Sequence, residues 1–321
     1  MALTFHLGTQ ESGSMIMPDN SLGVFLYPDN FSGPEISTFA RRFEDLGYAS
    51  IWYPEAMFYE SFTVGGFLLS NTQRITVASG IANIYARDPM ATLQCSRGLQ
   101  KFYPDRYITG LGVSHKAIVE DLRGHKYRKP MSAMIEYLDA MDAARPKLAG
   151  EDTPLVLAGL GPKMMELAAA RSDGVHPFNS PPEHTRWARE LIGPDKWICT
   201  AQHVCLTTDA AAARAAARRA LDFYFVTPNH YRNWLRVGYD TSDLENGGSD
   251  RLIDALVAWG TEAQIRDRIQ QHFDAGATQV IINTIRPEVS GTSENAIDGH
   301  NFQSTPHWDA YGLLAPEQAN A

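Results

Sequence analysis

Between Ser21 and Asn283 a short apolar run, a turn and an amphipathic stretch recur in the same order, and eight apolar runs can be counted. Leu22–Leu26, Ala49–Tyr53, Ile75–Ala78, Tyr107–Gly112, Leu155–Ala158, Gly174–Phe178, Ile198–Leu206 and Gln279–Asn283 read as strands. Between the first two, Glu35–Leu46 carries Ile36, Phe39, Ala40, Phe43 and Leu46 at helical spacing and stops at Gly47. Helices are expected also over 90–102, Met131–Met141, Lys163–Ala170 and 261–273. Strands that alternate with helices pair in parallel through right-handed crossovers. Eight such units close a (β/α)8 barrel, an α/β TIM barrel, and a chain of 321 residues accommodates one. An open doubly wound sheet is the main competing topology.

The remaining segments are read by exclusion from that pattern. Residues 1–20 are polar without a clear period and are expected to form an arm, with the barrel over 21–287. Residues 288–321 read as an irregular tail. The aromatic-rich stretch 221–260, between the seventh and eighth strands, exceeds a plain connection and reads as an insertion over the active face.

Charge and cysteine usage narrow the class of partner. A net charge of -9 argues against nucleic acid, which attracts clustered basic surfaces. Cys95, Cys199 and Cys205 are scattered with neither a CxxC pair nor metal-ligand spacing, so no metal is expected and a reducing, cytoplasmic setting is. No apolar run approaches the roughly 20 residues of a membrane helix, and no basic segment leading into an apolar one opens the chain.

In a barrel, the loops that follow the strands gather at one mouth, so chemistry is sought there. Trp52-Tyr53-Pro54-Glu55-Ala56 follows the second strand; Glu55 is placed to act as acid, base or hydrogen-bond acceptor, or else to cap a helix. Gly80-Ile81-Ala82-Asn83-Ile84-Tyr85-Ala86-Arg87-Asp88-Pro89 follows the third. Gly80 lets a flat ring approach closely, and Asp88-Pro89 reads as a helix cap followed by the first helical residue. Arg87 is either an anion ligand or half of an ion pair at the rim. Gly110-Leu111-Gly112-Val113-Ser114-His115 follows the fourth strand; its imidazole suits proton exchange near neutrality, or simply makes a hydrogen bond. Ala158-Gly159-Leu160-Gly161-Pro162-Lys163-Met164 follows the fifth, where backbone N–H groups at a helix start favour an anion. It matches neither a dinucleotide fingerprint nor a Walker motif, and no HExxH or GxSxG occurs.

Taken together, Pro54-Glu55, Gly80-Ile81 through Pro89, Gly110 through His115 and Leu160 through Met164 resemble the luciferase-like monooxygenase superfamily, over about residues 21–286. GIANIYARDP, GLGVSH and LGPKM are similar to an actinobacterial branch of F420-dependent oxidoreductases. The resemblance implies a bacterial luciferase-like barrel with a deazaflavin ring across its mouth and a cis peptide at Gly80–Ile81 supporting that ring. It implies cofactor contacts from Gly80, Ile81, Asn83 and Ser114, and from Ala158, Gly159, Gly161, Pro162 and Lys163, with Gly159 and Gly161 cradling phosphate. Two departures stand out: Ala56 occupies a place where many relatives have histidine, and His115 one where sugar-phosphate dehydrogenases have glutamate.

The function expected is hydride transfer between coenzyme F420 and a small organic substrate, with His115 and Glu55 handling the proton, in a homodimer. An FMN-dependent monooxygenase and a cofactor-binding protein without catalysis are the alternatives. A phosphate-substrate aldolase or isomerase lacks a Schiff-base lysine at a strand end.

Overall fold

The computed structural model describes residues 17–288 and 306–317. Its strands, in chain order, are β1 Ser21–Phe25, β2 Ser50–Tyr53, β3 Thr76–Ser79, β4 Ala82–Asn83, β5 Tyr107–Gly112, β6 Leu155–Ala158, β7 Gly174–His176, β8 Trp197–Leu206, β9 Val257–Gly260 and β10 Gln279–Thr284. Eight of them run parallel in the order β10-β1-β2-β3-β5-β6-β7-β8. The ring closes where Gln279–Thr284 of β10 lies against Cys199–Val204 of β8. The barrel therefore stands, and the open sheet does not.

Alternation along each strand sends one set of side chains inward. Phe25, Trp52, Ala78, Ile108, Val156, Cys199, Ala201 and Ile281 fill the interior, and Met17 packs with them. A polar layer joins this plug, with Trp52 Nε1 and Ser50 Oγ both donating to Gln279 Oε1 at 2.8 Å. Gly23 beside that layer has no alternative, because a Cβ there would lie 2.4 Å from Ser50 Oγ.

The outward faces pack against helices: α1 Gly33–Asp45, α2 Ser61–Ser70, α3 Pro89–Phe102, α4 Pro130–Ala144, α5 Pro162–Arg171 and α6 Pro182–Ile192. Local chemistry sets their starts. Ser32 and Glu35 form a reciprocal capping box on α1, and Asp88 accepts from the N–H groups of Met90 and Ala91 ahead of α3.

The connection from β8 to β10 is more ordered than the sequence suggests. It contains α7 Ala210–Phe225, α8 Pro228–Arg236 and α9 Asp250–Leu256, then β9 and α10 Glu262–Asp274. β9 pairs in parallel with the outer end of β8, His203↔Val257 through Leu206↔Gly260. Sequence reading missed it because Val257 directly follows α9, with no turn residue between them. The expected sixth strand ends early at His176, leaving Phe178 as an isolated bridge to Ala201.

The arm expected over residues 1–20 lies outside the described residues up to residue 16, and the tail does so over 289–305 and 318–321. Where the segment read as an irregular tail is described, it holds α11 Trp308–Leu313. Trp308 and Tyr311 pack on Phe43 of α1 at 5.0 and 4.9 Å between ring centroids.

Candidate functional site

The strand ends gather a floor of small residues facing a wall of rings. On the floor side, the Gly80–Ile81 peptide is cis, and Ala82–Asn83 pairs with Leu111–Gly112 of β5. Glycines in β5 make room for this bulge: a Cβ on Gly110 would lie 1.9 Å from Ser79 O, and one on Gly112 would lie 2.4 Å from Ile81 Cδ1. Ala158, at the end of β6, continues the surface 3.2 Å from where that Gly112 Cβ would be.

Glu55 holds the bulge from behind. Its N–H donates to Ile81 O at 3.3 Å, and its carboxylate accepts from Asn83 N at 2.7 Å. The same carboxylate forms an ion pair with Arg87, and Arg123 lies 3.8 Å away. Arg87 also pairs with Glu60 at 2.7 Å, so the rim ion pair is the role the structure gives Arg87. Asn83 is buried; its Oδ1 accepts from Tyr85 N, while its Nδ2 has no hydrogen-bond partner among the described residues.

Opposite the floor stands His176, stacked on Trp52 at 4.7 Å and near parallel to Phe25 at 6.1 Å. Its Nδ1 lies 2.7 Å from Cys199 O. A carbonyl only accepts, so Nδ1 carries the hydrogen and Nε2 the lone pair. Burial pushes this imidazole down to about 4, which keeps it neutral at pH 7. A Cβ on Gly80 would sit 3.2 Å from Nε2, so that lone pair faces the floor.

His115 follows β5 after Ser114, whose φ of 56° turns the chain. The imidazole meets Phe223 of α7 edge-on at 5.1 Å and His230 of α8 near parallel at 6.1 Å. Burial, then repulsion from His115, pushes His230 well below its ordinary pKa. Tyr224 continues the wall from His230 at 4.7 Å to Phe178 at 5.7 Å.

At the α5 start, Gly161 is the cap residue and Pro162 the first helical one. Arg236 of α8 reaches this corner: its Nη1 lies 3.4 Å from Leu160 O, and a Cβ on Gly161 would be 3.8 Å from Nη2. Gly159 is packed against Met164, and Lys163 is exposed.

Glu55, Gly80, Ile81 and Asn83 thus form one cluster, and Ala158 adjoins it through Gly112. Gly159, Gly161, Pro162 and Lys163 lie at the α5 start, His115 faces α7 and α8, and Ser114 O accepts from Tyr127 Oη. Sequence reading missed His176, His203, His230, Phe178, Tyr224 and Arg236. His176 ends a strand, so the rule that selected His115 selects it too; Arg236 carried no local signal.

The luciferase-like monooxygenase family model matches residues 11–279. A Mycobacterium tuberculosis protein named as a coenzyme F420-dependent oxidoreductase is 25% identical, covering 74% of this chain and 87% of its own. The 5,10-methylenetetrahydromethanopterin reductase of Methanolobus tindarius is 26% identical, covering 77% of this chain and 89% of its own. An F420-dependent secondary alcohol dehydrogenase, solved with an F420-acetone adduct, superposes with a TM-score of 0.68 at 15% identity, covering 93% of this chain and 97% of that one. The closed barrel, the cis bulge after its third strand and a family match spanning most of the chain agree: this protein belongs to the luciferase-like monooxygenase family.

Proposed function

We propose that the chain is an F420-dependent oxidoreductase that transfers a hydride between the deazaflavin and an organic substrate. The observation that carries this is the buried Asn83 on the Gly80–Asn83 bulge at the barrel mouth, whose Nδ2 has no hydrogen-bond partner among the described residues. The pyrimidine edge of a deazaflavin presents both acceptors and an N–H donor. The buried Asn83 Nδ2, a donor without a partner among the described residues, matches those acceptors. The F420 in the names of those similar proteins supports the same choice.

When bound, the deazaflavin supplies or accepts the hydride. Gly80, Ile81 and Asn83 hold its ring, and the α5 start with Arg236 holds its phosphate, where helix dipole and guanidinium attract an anion together. Ala158, Gly159 and Pro162 line the path between them, with Ser114 at the ring edge and Lys163 at the solvent end. His115 moves the proton. Glu55, fixed by Arg87 and the Asn83 N–H, braces the bulge instead of sharing that task. Phe178, Tyr224 and Phe223 keep water from the reacting atoms.

Titration with F420, FMN and FAD, followed by fluorescence, tests the reading. F420 is expected to bind at least about tenfold more tightly than either flavin, a difference of about 1.4 kcal/mol. Preference for FMN would replace this reading with the flavin monooxygenase.

A further inference from the structure

His203 lies near the mouth end of β8, and alternation puts it on the inward face with Cys199 and Ala201 of the barrel interior. It is 5% exposed, and neither ring nitrogen has a hydrogen-bond partner among the described residues. Three other buried imidazoles are anchored: His176 to Cys199 O, His184 to Leu160 O, and His272 to both Thr185 and Gln202, while His230 leaves only its Nδ1 among the unpartnered atoms. A buried ring with two idle nitrogens on the inner face of a barrel mouth points to a ligand.

Its surroundings define that ligand's chemistry. Phe178 stands edge-on to His203 at 5.6 Å, and Tyr224 packs on Phe178 from above. Burial pushes His203 down to about 4, so at neutral pH it offers one N–H and one lone pair but no charge. Four arginines near the mouth are engaged elsewhere, Arg87 and Arg123 at Glu55, Arg236 on Leu160 O and Asn233 Oδ1, and Arg286 on Pro306 O. An anion or cation entering this ring-walled corner would lose its hydration without gaining a counter-charge.

We propose that His203, Phe178 and Tyr224 form the substrate subsite, and that it takes an uncharged compound with a carbonyl or hydroxyl oxygen on a compact apolar body. His203 hydrogen-bonds that oxygen and keeps its own proton. The inference rests on the cofactor reading only in calling the ligand a substrate; the subsite itself belongs to the chain without cofactor.

Cyclohexanone, cyclohexanecarboxylate and cyclohexylammonium share a body and differ in charge. Their binding to the full chain, with and without F420, is followed through the imidazole resonances of ¹⁵N-histidine-labelled protein. Cyclohexanone is expected to shift the His203 resonances and to bind at least about tenfold more tightly than either ion. His203→Phe should weaken cyclohexanone at least about tenfold, whereas His203→Gln, which keeps a donor, should stay within about threefold. Both variants should bind F420 like the parent, which also reports that they fold. Absence of cyclohexanone binding, equal or tighter binding of an ion, or unaltered affinity in His203→Phe overturns the proposal. Failure of F420 to bind the parent protein overturns the cofactor reading instead, and the ketone titration without F420 still decides the subsite.

Discussion

At the scale of single residues, His115 and Glu55 entered with similar claims and leave with different ones. His115 sits at the strand end among rings, half-buried and facing α7 and α8. His115→Asn keeps shape and polarity but cannot exchange protons, so turnover should fall at least about a hundredfold while F420 affinity is retained. Turnover within a few-fold of the parent would remove His115 from the proton path. Glu55 was legible as a carboxylate at the mouth, yet its partners were not, because Arg87 and Arg123 come from two other loops. Glu55→Gln leaves Arg87 buried with Glu60 as its remaining partner, and should cost about 3 kcal/mol of stability in urea unfolding. A change below about 0.5 kcal/mol would show that the pair does not brace the bulge. His203 was hidden for a different reason: it lies within an apolar run, and its inward direction emerges only once the register of β8 is known.

At the scale of elements, the start of α5 shows what a motif reveals and what it leaves out. Gly161-Pro162 marked a helix N-terminus open to an anion, and the helix begins there. The guanidinium completing that corner comes from α8, far along the chain, and no local pattern links the two. Arg236→Ala and Gly161→Asp should each weaken F420 at least about tenfold, through lost charge in one and added negative charge in the other. A truncated F420 analogue without phosphate should bind parent and both variants alike, and a variant-dependent affinity for that analogue would place the effect elsewhere. The bulge was legible in the same partial way. Gly80–Ile81 was expected to be cis and is, but the need for Gly110 and Gly112 behind it follows only from the contacts of β5.

At the scale of the whole molecule, counting strand runs gave the closed barrel, because eight parallel units have a single compact solution. β9 escaped the count because it has neither length nor flanking turns. Among the described residues, the same packing holds five deeply buried imidazoles neutral: burial pushes His176, His184 and His203 to about 4 and His272 to about 3, and His230 well down. Each is lower folded than its unfolded value of about 6.5, so between those values the unfolded chain binds more protons. The resulting stability is complete above about pH 6.5 and is lost as pH falls toward 4, by about 1.4 kcal/mol per pH unit for each imidazole. Urea unfolding between pH 6.5 and 4.5 should therefore show a slope of several protons, reduced by one in His203→Gln; a flat profile would contradict it. The pairing of β8 has one more consequence. Its inner length is shared with the barrel and its outer end with β9, so everything between Leu206 and Val257 departs from and returns to the same strand. That panel is a cassette with both ends in the sheet: it carries the rings beside His115 together with Arg236, so exchanging it re-cuts the wall and the α5 corner at once, whereas the Gly80–Asn83 bulge lies outside it.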